Sequence, residues 1–298
     1  MIINPQSKAG TAKKKIATIK RILELNKIVF SLYKTQGTGD ELRVVKRVVK
    51  EGFKKIVCVG GDGTLQKIIA GIQLQKTCNP KEIIVGIIPI GTGNDWAKSI
   101  GIPLNIEKAI EKIKQGKIKK RDLGVVLINK KNEIKKRYFI NYSGVGFDAF
   151  MLNRLQPYKW LGKYAYLACS VANFWFYENS WISVKGNKFS LSKKIFLCGV
   201  GVSKYTGGGM QIIKSPAGNN GLLNLTVAYN FTKIDIIKNF FNLFNGSIFN
   251  DRKVLTMVGD EIKMSSKNGV LTCQGDGEIF GSGNLTFSVL KKQITHIY

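Results

Sequence analysis

A short apolar run, Ile56-Val57-Cys58-Val59, passes directly into Gly60-Gly61-Asp62-Gly63-Thr64. The same design recurs where Ile83-Ile84-Val85-Gly86-Ile87-Ile88 runs into Pro89-Ile90-Gly91-Thr92-Gly93-Asn94-Asp95. Glycines in a strand-to-helix turn remove the Cβ atoms that would hold a ligand away, so backbone N–H groups can face a phosphate. One such turn is weak evidence, whereas two in tandem commit the chain to an α/β layout with anion-facing loops. The surrounding pattern agrees. Strand candidates at 2–3, 27–33, 55–59 and 83–88 alternate with helical patterns at 11–25, 41–52 and 65–75, which predicts a mostly parallel sheet covered by helices on both faces. Sites in such sheets lie beyond the carboxyl ends of the strands, where both glycine turns fall.

After Leu123 the texture changes. Segments 124–129, 137–142, 181–184, 195–202, 222–229, 261–264 and 283–290 read as strands of an antiparallel, sandwich-like region. The organisation expected is therefore an α/β nucleotide-binding domain over 1–123 and a β-rich substrate domain over 124–290, with 291–298 a candidate to pack back on the first. Two helical stretches, 160–176 and 233–244, interrupt the second domain. The latter carries Ile234, Ile237, Phe241 and Phe244 at helical spacing, and this stripe reads as core. The aromatics Tyr158, Trp160, Tyr164, Tyr166, Trp175 and Tyr177 read mainly as packing in the second domain, with a lipid entry as the functional alternative.

Charge narrows the class of partner. Lys and Arg number 47 against 19 acidic residues, a net +28, and such a field attracts nucleotides and anionic lipid head groups alike. Nucleic acid is not expected, because glycine turns call for a small phosphorylated ligand and basic residues alone are unspecific. The five cysteines show no paired spacing and fit a reduced, cytoplasmic setting. No leader pattern opens the chain and no apolar run reaches the ~18 residues of a spanning helix, so association at the inner face of the membrane would be peripheral. The only histidine is His296, which excludes histidine-based triads and leaves acid–base work to carboxylates. Phosphoryl transfer needs donors for phosphate, a bridging divalent cation and a carboxylate that accepts a hydroxyl proton. Asn4-Pro5-Gln6-Ser7-Lys8-Ala9-Gly10 and the two glycine turns could supply the donors, and Gly275-Asp276-Gly277-Glu278 the carboxylates. That last segment also reads as a plain hairpin turn.

The order of these motifs resembles the diacylglycerol kinase catalytic domain family of soluble lipid kinases, which is related to sphingosine and ceramide kinases. The resemblance covers almost the whole chain. It rests on Asn4-Pro5, Gly60 to Leu65, Pro89 to Lys98 with Gly101-Ile102-Pro103, Asp122-Leu123-Gly124, Asn141 with Gly144 to Ala149, and Asp276-Gly277-Glu278. It implies a fold like that of NAD and diacylglycerol kinases, ATP as phosphoryl donor, Mg2+, and a lipid hydroxyl as acceptor, most simply diacylglycerol giving phosphatidic acid. Carried over, Asn4, Ser7, Lys8, Thr35, Gly60, Gly61, Asp62, Gly63, Thr64, Thr92, Gly93 and Asn94 would bind nucleotide. Asp62, Asp95 and Asp122 would form a carboxylate–water–Mg2+ network. Asp276 would be the preferred proton acceptor, supported by Glu278, and Asn220 and Leu222 would mark a structural metal site.

Several positions depart from the family pattern. Gln66 and Lys67 stand where Asn and Glu are usual, and Asn220 and Asn224 where aspartate is common; an amide oxygen is a weaker ligand for a hard cation than a carboxylate. Lys8 replaces a frequent glycine, and only Met1-Ile2-Ile3 precedes Asn4. Two further readings stay open at this point: a kinase of a soluble hydroxyl such as that of NAD, and a catalytically impaired membrane-binding homologue. Strand edges in the second domain also offer a homodimer surface.

Overall fold

The structure, a computed structural model, describes residues 1–5, 11–37, 39–131, 133–214, 216, 218–267 and 269–298, apart from the side chains at 11–14, 159, 162, 163, 166 and 167. The chain divides into two compact units, Met1–Leu123 with Lys291–Tyr298, and Gly124–Leu290.

The first unit runs β1 (Ile2–Ile3), α1 (Thr11–Leu25), β2 (Tyr33–Lys34), α2 (Glu41–Lys50), β3 (Lys55–Gly60), α3 (Asp62–Leu74), β4 (Ile84–Pro89), α4 (Asp95–Ser99), α5 (Ile106–Gln115) and the start of β5 (Ile118–Lys130). β1 lies between β2 and β3, and β3 pairs in turn with β4, all parallel. β3 and β4 are buried along nearly their whole length, as expected of strands covered on both faces. The core joins Ile3, Val57, Val59, Ile88 and Ile90 of the sheet to Ile19 and Leu23 of α1 and Ile110 and Ile113 of α5. The expected strand at 27–33 shrinks to Tyr33–Lys34 because β1 offers only two residues to pair with. Ile28, Phe30 and Leu32 still pack on the core and Val29 points wholly outward, so the alternation is present without the ladder.

The second unit continues through β5 into β6 (Glu133–Phe139), β7 (Tyr142–Gly146), α6 (Phe147–Arg154), α7 (Ala165–Asn173), β8 (Ser180–Gly186), β9 (Phe189–Gly201), β10 (Leu223–Tyr229), α8 (Lys233–Asn239), α9 (Asn242–Asn245), β11 (Val254–Gly259), β12 (Glu261–Ser266), β13 (Leu271–Gly275) and β14 (Glu278–Ile297). Its ladders are antiparallel and close on themselves: β9 pairs β7, β7 pairs β13, β13 pairs β14, β14 pairs β12, β12 pairs β8, and β8 returns to β9. Closure works because β9 and β14 are long enough to serve one partner with each half, which leaves fewer open edges. The inward side chains, among them Val126, Phe139, Val200, Leu225, Ile262 and Phe287, fill the interior. The last residues of β14 belong to the first unit, where Thr295 and His296 pair in parallel with Ile84 and Val85 of β4.

The apolar stripe of 233–244 is not core. Ile234, Ile237, Phe241 and Phe244 are 63%, 60%, 76% and 44% exposed. α8 and α9 are apolar on the inward side as well, where Ile236 and Leu243 pack against a cluster around Phe147, Phe196 and Phe231. Periodicity alone cannot tell which of two apolar faces is buried. The aromatics of 158–177 divide likewise: Tyr177 is buried, Tyr158 packs against the same cluster, and Trp160, Tyr164 and Trp175 are exposed; Tyr166 lies outside the described side chains.

Candidate active site

The two glycine turns of the first unit touch through their backbones. A Cβ on Gly91 would lie 2.4 Å from the Gly61 Cα, and one on Gly60 would meet Thr64 Cβ at 2.8 Å. These glycines are therefore demanded by close approach of chain to chain as well as by any ligand. Asp62 fastens the turns together: its carboxylate accepts from Asp95 N at 3.0 Å and from Trp96 N at 2.8 Å. It thus caps α4 from another segment, and Asn94, the residue that would normally do so, takes a left-handed conformation with no capping bond. Asn94 instead donates its amide to Gly91 O at 3.0 Å, and its buried Oδ1 has no hydrogen-bond partner among the described residues. Asp95 is 3% exposed and its carboxylate lies 3.7 Å from Lys98 Nζ.

α3 begins at this junction. Gly61 is its N-cap and supplies no side chain to the helix end, so the N–H groups of the first turn face outward with the positive end of the helix dipole. Thr64 is buried, Thr92 is exposed, and Gly63 has open space where a Cβ would be. This donor set fits a phosphate chain. Asp62 and Asp95, one fastened to the other's backbone, are the anionic groups in reach of a cation held there. Asp122 is engaged elsewhere, because its Oδ1 accepts from Lys292 N at 2.7 Å and holds a left-handed residue (φ 49) where the C-terminal strand enters the unit. Among the described residues no three His, Cys, Asp or Glu side chains gather to hold a metal directly; the network expected from Asp62, Asp95 and Asp122 is one that runs through water. Lys67 is half-buried on α3.

At the neighbouring strand ends, Thr35 is buried with its N–H on Ile3 O at 2.9 Å. Asn4 Nδ2 reaches Glu41 Oε1 at 3.3 Å, and Glu41 Oε2 accepts from Gly39 N at 3.1 Å. Glu41, 1% exposed, orders this loop and escapes a motif-based reading because it looks like an ordinary acidic residue in a helix's first turn. Ser7 and Lys8 lie outside the described residues. His296, 3% exposed, packs edge-on against Trp96 with ring centroids 5.3 Å apart, and burial lowers its pKa to about 4. A neutral packed imidazole agrees with its exclusion from proton transfer.

In the second unit, Asp276 and Gly277 both have positive φ, 48° and 85°, the signature of a type I′ hairpin joining β13 to β14. The Asp276 carboxylate accepts from the backbone N–H groups of Ile140 at 2.7 Å, Asn141 at 3.0 Å and Tyr142 at 3.2 Å, while its own N–H bonds Tyr142 O at 2.9 Å. The residue preferred from sequence as proton acceptor thus also fixes the hairpin to the start of β7. Glu278, half-buried, opens β14 opposite Gly275.

A buried polar network supports the turn. Tyr142 Oη and Gln274 Nε2 donate to Asp148 Oδ2 at 2.9 and 2.7 Å, and Gln274 Oε1 accepts from Gly277 N at 3.4 Å. The Tyr142 ring lies flat across Gly199, where a Cβ would sit 2.1 Å from it. Burial raises the Asp148 pKa against the pull of its hydrogen bonds. Asp148 and Gln274 are not among the site residues expected from sequence; the available signal is a single carboxylate inside the apolar, glycine-rich run Gly144 to Ala149. Asn220 Oδ1 accepts from Leu222 N at 3.1 Å, an Asx turn at the place where a structural metal is expected.

Two family descriptions match this chain. Diacylglycerol kinase catalytic domain matches residues 1–126, and YegS C-terminal NAD kinase beta sandwich-like domain matches 142–297. A protein of Staphylococcus carnosus (strain TM300) named "Diacylglycerol kinase" is 32% identical over 146 residues, 49% of this chain and 44% of that protein. The matching stretch thus spans less than half of that relative. A protein of Pseudomonas syringae pv. syringae (strain B728a) named "Probable lipid kinase YegS-like" is 26% identical over 255 residues, 85% of this chain and 78% of that protein. The crystal structure of a diacylglycerol kinase from Bacillus anthracis str. Sterne superposes with a TM-score of 0.73 at 21% identity, covering 100% of this chain and 95% of that one. At that identity the agreement is one of fold.

Proposed function

Since the chain belongs to the diacylglycerol kinase catalytic domain family and carries its YegS-type β sandwich-like domain, we propose that it transfers the γ-phosphoryl group of ATP to a lipid hydroxyl, that of diacylglycerol in the first instance. The observation that carries this reading is the backbone contact of Gly61 with Gly91, fastened by Asp62. It joins two phosphate-facing turns at the uncapped start of α3. Asn4, Thr35 and Thr92 complete the proposed nucleotide contacts. Mg2+ beside Asp62 and Asp95 would neutralise phosphate charge.

Glu278 is the carboxylate we assign to proton acceptance from the acceptor hydroxyl. The Asp276 carboxylate accepts three backbone N–H bonds, which favour its charged form and fix the hairpin that carries Glu278; we assign it a positioning role. The lipid's oxygen then forms the new P–O bond as the bond to ADP breaks. The net charge of +28 supports work at an anionic membrane surface, where each Lys or Arg contributes about 1 kcal/mol. Among the described residues no helix is long and apolar enough to cross a membrane.

The test is a panel of acceptors with labelled ATP and Mg2+: diacylglycerol, monoacylglycerol, undecaprenol, sphingosine, ceramide and NAD, with and without anionic carrier lipid. Labelled phosphatidic acid is the expected product. Transfer to NAD alone, or to nothing while ATP binds, would sink the reading.

A further inference from the structure

The apolar face of α8 and α9 is held outward by a firm frame. Thr232 and Asp235 form a reciprocal capping box at the start of α8, Asp235 pairs with Lys253, and the buried Asn239 donates to Asp251 Oδ2 at 2.7 Å. Lys233 Nζ donates to the carbonyls of Phe174 and Tyr177 at 2.5 and 2.7 Å. That clamp sets the short 3-10 turn Phe174–Phe176 beside the first turn of α8. With Ile236 and Leu243 anchored in the core, the residues left facing solvent are Ile234, Ile237, Phe241, Phe244, Trp175 and Phe176, the last two 62% and 73% exposed. Apolar side chains so exposed in a well-capped element mark an interaction surface.

We infer that this surface seats the protein in an anionic lipid bilayer, with the six side chains entering the head-group region. The inference rests on the lipid-kinase reading for its biological sense, and on chemistry for its choice of partner. Trp, Phe and Ile on one face with Lys in reach is the composition of an interfacial anchor. Of the nearby carboxylates Asp235 is paired with Lys253 and Asp251 accepts from Asn239, which leaves exposed Glu178 opposed by exposed Lys238, between Ile237 and Phe241. A chain of net charge +28 is drawn toward anionic lipid over its whole surface, and this face gives that attraction a hydrophobic foothold.

The experiment is flotation of the full chain with phosphatidylcholine vesicles, with and without phosphatidylglycerol, in the absence of ATP. Wild type is compared with Phe241→Asp and Ile237→Asp, whose side chains are exposed and whose folding is checked by circular dichroism. Each substitution should lower partitioning into the anionic vesicles at least about tenfold, and brominated lipid should quench tryptophan fluorescence more in wild type than in Trp175→Phe. Unchanged partitioning of both folded variants would overturn the inference. So would a wild-type self-association that Phe241→Asp abolishes while vesicle binding persists, since the face would then seat a second copy. Because binding is read without catalysis, a protein that docks through this face yet phosphorylates no lipid upholds the surface and refutes the kinase reading instead.

Discussion

The tripeptide Gly-Asp-Gly occurs in both units, at 61–63 and at 275–277, and the two copies do the same thing in opposite surroundings. Asp62 opens a helix with ordinary right-handed geometry and holds the backbone N–H groups of 95 and 96. Asp276 sits in a left-handed turn between antiparallel strands and holds those of 140 to 142. In each, the carboxylate is a fastener between segments distant in sequence. What differs is the element that follows: a helix start with outward N–H donors in one, a strand beginning with a carboxylate, Glu278, in the other. An acidic residue in a glycine-rich motif is thus not automatically the reactive one, and the chemistry belongs to what the fastener positions.

The sharpest way to break this comparison is Glu278→Gln. Turnover with a lipid acceptor should fall by about 10²–10⁴-fold in a variant whose circular dichroism matches wild type; a variant as active as wild type would leave the second motif without an acid–base role.

Acidification separates the units next. His296 is neutral when folded, with its pKa lowered from 6.5 to about 4, so the unfolded chain takes up the extra proton. Stability of the first unit should be lost as pH falls from 6.5 toward 4, by on the order of 3 kcal/mol, and His296→Phe should flatten that profile. Asp148 works the other way. Its raised pKa means that the folded state takes the proton first, so the penalty it imposes at neutral pH is relieved on acidification. Amide exchange resolved by residue across pH 7 to 4 would read both slopes, and parallel slopes in the two units would contradict the assignment.

Smaller effects test the fasteners themselves. Asp62→Asn and Asp276→Asn each replace one acceptor oxygen with an NH2 group that can only donate, and each should cost about 1–3 kcal/mol in denaturant unfolding. Asp276→Asn should also lower activity without changing the pH at which it is half-maximal, a pattern that a true proton acceptor would not give. Last come the third residues of the motifs. Gly63 lies in a helix with open space around it, and Gly63→Ala should stabilise by about 0.5–1 kcal/mol while weakening nucleotide binding. Gly277 has φ 85, and Gly277→Ala should destabilise by about 1 kcal/mol. Equal shifts in the same direction would show that the two motifs share more backbone geometry than their φ angles allow.

The alternating strands and helices, both glycine turns and the β-rich second half are legible in the sequence because each is local: a period, a turn residue, a change of texture. The roles of Asp122 and Asp276 are not, since their partners Lys292 and Ile140 to Tyr142 lie far away along the chain. Glu41 and Gln274 are hidden for the same reason. The stripe at Ile234, Ile237, Phe241 and Phe244 reads wrongly as core because α8 and α9 are apolar toward the interior too, and hydrophobic spacing reports helix type without saying which side meets water.

The return of residues 291–298 to the first unit bears on the order of assembly during synthesis. β1 to β4 leave the ribosome early, yet the position beside β4 taken by Thr295 and His296 stays empty until the whole of the second unit has been made. Domains usually fold one after another from the amino end as they emerge. Here the unit that begins first cannot finish before the one that follows it, and its hydrophobic β4 must wait, one edge unpaired, for the strand that arrives last.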